Sequence, residues 1–339
     1  MGVYNPLDEV SLRNQIRSQK AHAWDLATSL DWGRGIDLEK PLLPLDEDAI
    51  VFPGVSDEQR LALSQMMGLF INTTIAEMES VIHKLRDVAW HRALRQFPVN
   101  PELVELGDLF FEEELKHSAA FHRYNDIFCH QTGVPEDILR ELLPKVWGSS
   151  FLKHVLANAN SGGTAFWWVV ASVEEVSIEV YKELHRWRFA VEPLYLQLHL
   201  KHLEEESRHR NYAFLMLDVM KRQPKPWAKR FSAKADLLLA QGLSTAWLIS
   251  ELQKALQVEK YASAHPWFST VASALPHFRN VGLFSLIKKM FVTAPFLSVM
   301  LNTRYHDHTM QKARAQKVFS FPFPEPKASP TFPIGVFGK

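Results

Sequence analysis

Between Ser56 and Arg222 the apolar residues recur at intervals of three and four, the period of an amphipathic helix, and sustained two-residue alternation is absent. The pattern predicts four long helices with recognisable ends. The first opens after Ser56, with Gln59 at capping-box spacing, and runs to about Phe97 before Pro98. The second begins at Asn100-Pro101, an N-cap followed by proline where its missing N–H costs nothing, and ends near Gly133. The third follows Ser161-Gly162-Gly163 and stops before Glu192-Pro193. The fourth runs from about Pro193 to Arg222, closed by Pro224 and Pro226.

A connection of about 30 residues separates the second and third predicted helices and holds a shorter helical stretch, PEDILRELLPKVW. An all-α chain with four long helices and one long crossover has the ferritin-like form of the four-helix bundle. On this reading residues 56–222 are the bundle. Residues 1–55 are an N-terminal extension that packs on its outside, because Pro41-Leu-Leu-Pro44 breaks any helix there. Residues 223–316 form additional C-terminal helices, and residues 317–339 are a tail too proline-rich for regular structure.

With 47% of 339 residues hydrophobic, the chain can bury one large core or two modest ones. Lys plus Arg number 38 and so do Asp plus Glu, which removes the electrostatic footprint of a nucleic-acid binder. The lone cysteine, Cys129, rules out an internal disulfide framework or a cysteine-based metal cluster and suits a reducing compartment. The opening MGVYNPLDEV carries acids and no apolar signal core, so the expected location is cytoplasmic. The apolar stretch Phe291–Leu301 is about half of the roughly 20 residues that span a bilayer and contains Pro295. It suits a core or homodimer-interface helix better than a membrane contact.

The chemistry lies in two copies of Glu-x-x-His, Glu114-Leu-Lys-His117 and Glu206-Ser-Arg-His209, a spacing that sets both side chains on one helical face. Those faces are apolar. In the fourth helix Tyr195, Leu198, His202, Glu206, His209, Ala213 and Met216 follow one another at helical steps. In the second, Gly107, Phe110, Glu114, His117, Phe121 and Tyr124 do the same, and in the third Glu174 interrupts Trp167, Val170, Ile178 and Tyr181. The first helix would add one carboxylate. Glu79, beside Ile75, Met78 and Ile82, is favoured there over Glu77, and Glu175 remains an alternative to Glu174.

Charges in a core cost several kcal/mol apiece unless paired or metal-bound, and no Lys or Arg shares these stripes. Two divalent ions would neutralise the four carboxylates. Oxygen and imidazole ligation suits iron, with manganese the alternative, and disfavours copper(I). His202, four residues before Glu206, adds a third histidine to the candidate ligands, unless it merely hydrogen-bonds across the core. Glu112, Glu113, Glu175, Glu204 and Glu205 fall mainly on flanking faces, as surface groups or as supports of the ligands. Tyr124 and Tyr181 could hydrogen-bond a ligand or relay an electron, and Trp167, Phe110 and Phe121 could line a substrate cavity, but ordinary core packing is the favoured reading of each.

Glu114-Leu-Lys-His117, Glu174 and His202-Leu-Glu-Glu-Glu206-Ser-Arg-His209 together resemble the p-aminobenzoate N-oxygenase-like branch of the ferritin-like non-haem di-iron oxygenases, over roughly residues 56–222. FFEEELKHSAAFHRYND and HLKHLEEESRHRNYAF are also similar to a family labelled predicted metal-dependent hydrolases. The first resemblance implies two iron ions held by Glu79, Glu114, His117, Glu174, His202, Glu206 and His209. It further implies O2 activation through a peroxo-diferric intermediate and hydroxylation or N-oxygenation of a small or medium organic substrate, with electrons from an external donor. A di-metal hydrolase and a non-catalytic ferritin-like iron-binding protein are the competing expectations, and a metal-free partner-binding module is a third.

Overall fold

In the computed structural model the described residues are 8–43, 54–87, 90, 100–145, 164–221, 227–279 and 307–319. Their regular structure is helical throughout. The helices are α1 (Glu9–His22), α2 (Asp57–Lys84), α3 (Pro101–Thr132), α4 (Glu136–Leu142), α5 (Thr164–Arg186), α6 (Pro193–Lys221), α7 (Trp227–Ala255), α8 (Pro266–Arg279) and α9 (Asp307–Gln316).

The start and stop signals act as their chemistry requires. Ser56 and Gln59 form a complete capping box at the head of α2, with the Ser56 side chain accepting from Gln59 N. Asn100 accepts from Glu102 N ahead of Pro101, and Gly133 ends α3 in the left-handed conformation at φ 75°. α2 is described to Lys84, with Leu85 as its C-cap, and the expected continuation over 91–97 lies outside the described residues. So do residues 146–163 of the connection, the apolar stretch Phe291–Leu301 and the tail from 320.

Four long helices enclose the centre. α2 packs on α3 and α5 on α6, and the pairs meet through α3 with α6 and α2 with α5. Side-chain bonds fix the register. Asn125 reaches Thr73, Ser118 reaches Ala76 O and His83 lies on Phe111 O, so α2 and α3 run antiparallel. Tyr212 above Leu103 and Glu205 beside His117 set α6 antiparallel to α3. The turn Trp187–Ala190 joins α5 to α6 directly, whereas α3 and α5 are linked by the long segment containing α4.

The N-terminal segment is more than an outer wrap. Residues 9–22 form a helix, and Leu12, Trp24, Leu42 and Leu43 are buried in a core that runs unbroken to Ala313. Leu42 sits so close to α2 that a Cβ on Gly68 would lie 2.4 Å from its Cβ. Among the described residues no helix is long and apolar enough to cross a membrane.

Candidate metal centre

All seven residues expected as ligands meet in one buried cluster. Glu79, Glu114, His117, Glu174, His202, Glu206 and His209 are each no more than 1% exposed. Their donor atoms fall into three overlapping groups within which every atom lies within 4.8 Å of the others: Glu79, His117, His202 and Glu206; Glu114, His117 and His209; Glu174, Glu206 and His209. His202 belongs to the cluster, with Nε2 2.6 Å from Glu79 Oε1 and 3.0 Å from Glu206 Oε1.

The open alternatives separate by burial. Glu79 points inward, whereas Glu77 is part-exposed, 3.9 Å from His122, and faces a cleft of ≈ 460 Å³ lined by Thr73, Asn125, Cys129 and Arg140. Glu174 joins the cluster. Its neighbour Glu175 turns the other way and accepts from the backbone N–H groups of His308 and Thr309, satisfying two of the free donors at the head of α9.

The histidines are oriented from behind. A carboxylate can only accept, so the 2.6 Å contact of His117 Nε2 with Glu205 Oε2 places the proton on Nε2 and aims the Nδ1 lone pair into the cluster, 3.3 Å from Glu206 Oε1. His209 repeats this: Nε2 donates to Glu113 Oε2 at 2.8 Å and Nδ1 lies 3.0 Å from Glu114 Oε1. The support is crossed, since the acid preceding each Glu-x-x-His serves the histidine of the other helix. An aromatic ring covers each histidine. Trp24 stacks on His117 with centroids 5.7 Å apart, and Phe121 and Phe110 meet His202 and His209 edge-on at 4.9 Å.

Several buried polar atoms here have no hydrogen-bond partner: Glu79 Oε2, both oxygens of Glu114 and of Glu206, Glu174 Oε1, and Nδ1 of His117 and His209. Buried polar groups are otherwise almost always satisfied, so eight orphans aimed at one another call for a cation. Electrostatics agrees. Burial, with the like charges around them, pushes Glu79 and Glu206 well above the usual carboxylate range, and burial with Glu174 raises Glu114 to about 8. Burial also raises Glu174. Burial drives His117 and His202 down, keeping their nitrogens free to ligate. Burial pulls His209 down too, but Glu114, Glu113 and Glu206 outweigh it and the net direction is up. A proton shared among these groups does, weakly, what a divalent ion would do fully.

Other expectations resolve into packing. Tyr124 donates to Glu192 at 3.0 Å and Tyr181 lies 3.1 Å from His185, so neither bonds a cluster residue. Trp167 packs on Phe110, Phe111 and Phe166. Glu112 and Glu204 are exposed, but Glu113, Glu175 and Glu205 are buried, which flanking positions on the helices did not imply. Periodicity did not single out His199, fully buried and bonded to Asn72, nor Gln19 and Trp24. The doubled acids Glu113-Glu114 and Glu205-Glu206 were the available signal for the supporting carboxylates; nothing local marked Gln19.

No family model, curated protein or solved structure matches this chain.

Proposed function

We propose that the protein is a ferritin-like non-haem di-iron enzyme of the p-aminobenzoate N-oxygenase-like type, using O2 and an external electron donor to oxidise a small or medium organic molecule in a reducing, cytoplasmic setting. The observation that carries this reading is the set of unpartnered carboxylate oxygens and Nδ1 atoms converging in a buried interior. Glu79, His117, His202 and Glu206 could hold one ion and Glu174, Glu206 and His209 another, with Glu114 close to both His117 and His209. Iron fits this donor set, with manganese the alternative. When bound, two ferrous ions supply the electrons that reduce O2.

The chain's own residues do the rest. Glu205 and Glu113 keep the protons of His117 and His209 on Nε2, so Nδ1 stays available on each. Trp24, Phe110 and Phe121 close the histidine faces to water, which keeps reactive oxygen species from leaking to solvent.

Anaerobic loading with ferrous iron tests the proposal. The expected result is about two irons per chain and O2 consumption on adding reductant, both lost in Glu114→Ala and His209→Ala. Iron binding without O2 consumption under any reductant, or metal-dependent hydrolysis in the absence of O2, would overturn it.

A further inference from the structure

The two supporting carboxylates are themselves held, and by different chemistry. Glu113 Oε2 accepts from Gln19 Nε2 at 2.6 Å as well as from His209. Gln19 lies on α1 and is 3% exposed. Glu205 Oε1 accepts from the backbone N–H of Trp24 at 3.3 Å and from Lys116 Nζ at 2.8 Å, while its Oε2 accepts from His117 Nε2. The segment Gln19–Trp24 therefore reaches behind both histidines, meeting one through a neutral amide and the other alongside an ammonium group.

These partners are not equivalent. Lys116 draws charge from Glu205 and weakens its pull on the Nε2 proton of His117. Glu113 has the neutral Gln19 amide instead and keeps its full pull on His209, which makes Nδ1 of His209 the more basic donor. We propose that Gln19 is a positioning residue for the metal centre: by holding Glu113 against His209 it sets metal affinity at the position that includes His209, leaving the His117 and His202 side to Glu205 and Lys116. This rests on the two-metal reading above.

The test is anaerobic titration of the full chain with Co2+, followed by its visible d–d absorption, on wild type, Gln19→Met, Glu113→Gln and Lys116→Met. Methionine keeps the length and packing of Gln19 and removes its donor. Wild type should bind two equivalents. Gln19→Met should weaken one of them by about tenfold or more and shift its absorption band, leaving the other at wild-type affinity. Glu113→Gln should weaken the same equivalent without adding to Gln19→Met in the double variant, and Lys116→Met should affect the other. A melting curve of each metal-free variant separates lost folding from lost positioning; if Gln19→Met does not fold, Glu113→Gln against Lys116→Met decides alone. Two equivalents with unchanged affinities and bands in Gln19→Met and Glu113→Gln would overturn this proposal and leave the metal reading intact. A wild type that takes up no cobalt would overturn both.

Discussion

His117 Nε2 on α3 donates a hydrogen bond to Glu205 on α6 across 2.6 Å, and His209 on α6 donates to Glu113 on α3, so each half of the cluster is oriented by an acid from the opposite helix. Removing that acid should loosen the ligand without touching the ligand set. Glu205→Ala is expected to weaken metal binding by about 10- to 100-fold, and Glu205→Gln, which keeps an acceptor, by less. Metal titration of the two variants is the check, and equal affinities in both would refute the orienting role.

Glu206 has both oxygens buried and unpartnered, so it serves the metal and burdens the metal-free fold. Glu206→Leu should raise the stability of metal-free protein by about 1–3 kcal/mol, the order of an unsatisfied buried polar group, while abolishing metal uptake. Denaturant unfolding with and without metal measures both effects. A stripped Glu206→Leu variant less stable than stripped wild type would contradict the burial argument.

The pH dependence of metal-free protein has a definite sign. A carboxyl whose pKa is raised by folding stabilises the fold while protonated; this is complete below the unfolded value of 4.5 and is lost as pH rises through the folded value, about 8 for Glu114. His209, also raised, behaves alike. The lowered histidines, His117, His199 and His202, act in the opposite sense, and only below the unfolded value of 6.5. Between pH 6.5 and 8 stripped protein should therefore lose stability as pH rises, by up to about 1.4 kcal/mol per pH unit for each proton involved. Metal-loaded protein should lack that slope. Chemical unfolding across the interval, with and without metal, tests the difference.

Gly107 on α3 leaves room for α6 and the ring beyond it. A Cβ there would lie 2.3 Å from both Trp90 Cζ2 and Tyr212 Oη, whose mutual hydrogen bond is 2.7 Å long. At an open helical site Gly→Ala would stabilise by about 1 kcal/mol. Gly107→Ala should instead destabilise by about 1–3 kcal/mol through overpacking. A higher melting temperature in that variant would show that the aromatic pair yields.

Six of the ligand candidates, Glu114, His117, Glu174, His202, Glu206 and His209, were legible because each interrupts an apolar stripe at helical spacing, a conflict that local sequence displays. Helix ends were equally local, written in Ser56, Asn100, Gly133 and Pro193. Other features required the fold. Whether Glu79 or Glu77 faces inward depends on how α2 is rotated against α3, and an apolar residue flanks both. That Glu175 leaves the cluster to cap α9, and that Glu113 and Glu205 cross to the opposite histidine, depends on which helices meet. Gln19 lies 94 residues from the carboxylate it holds. Periodicity records which face of a helix is buried, and only packing between distant segments decides what that face touches.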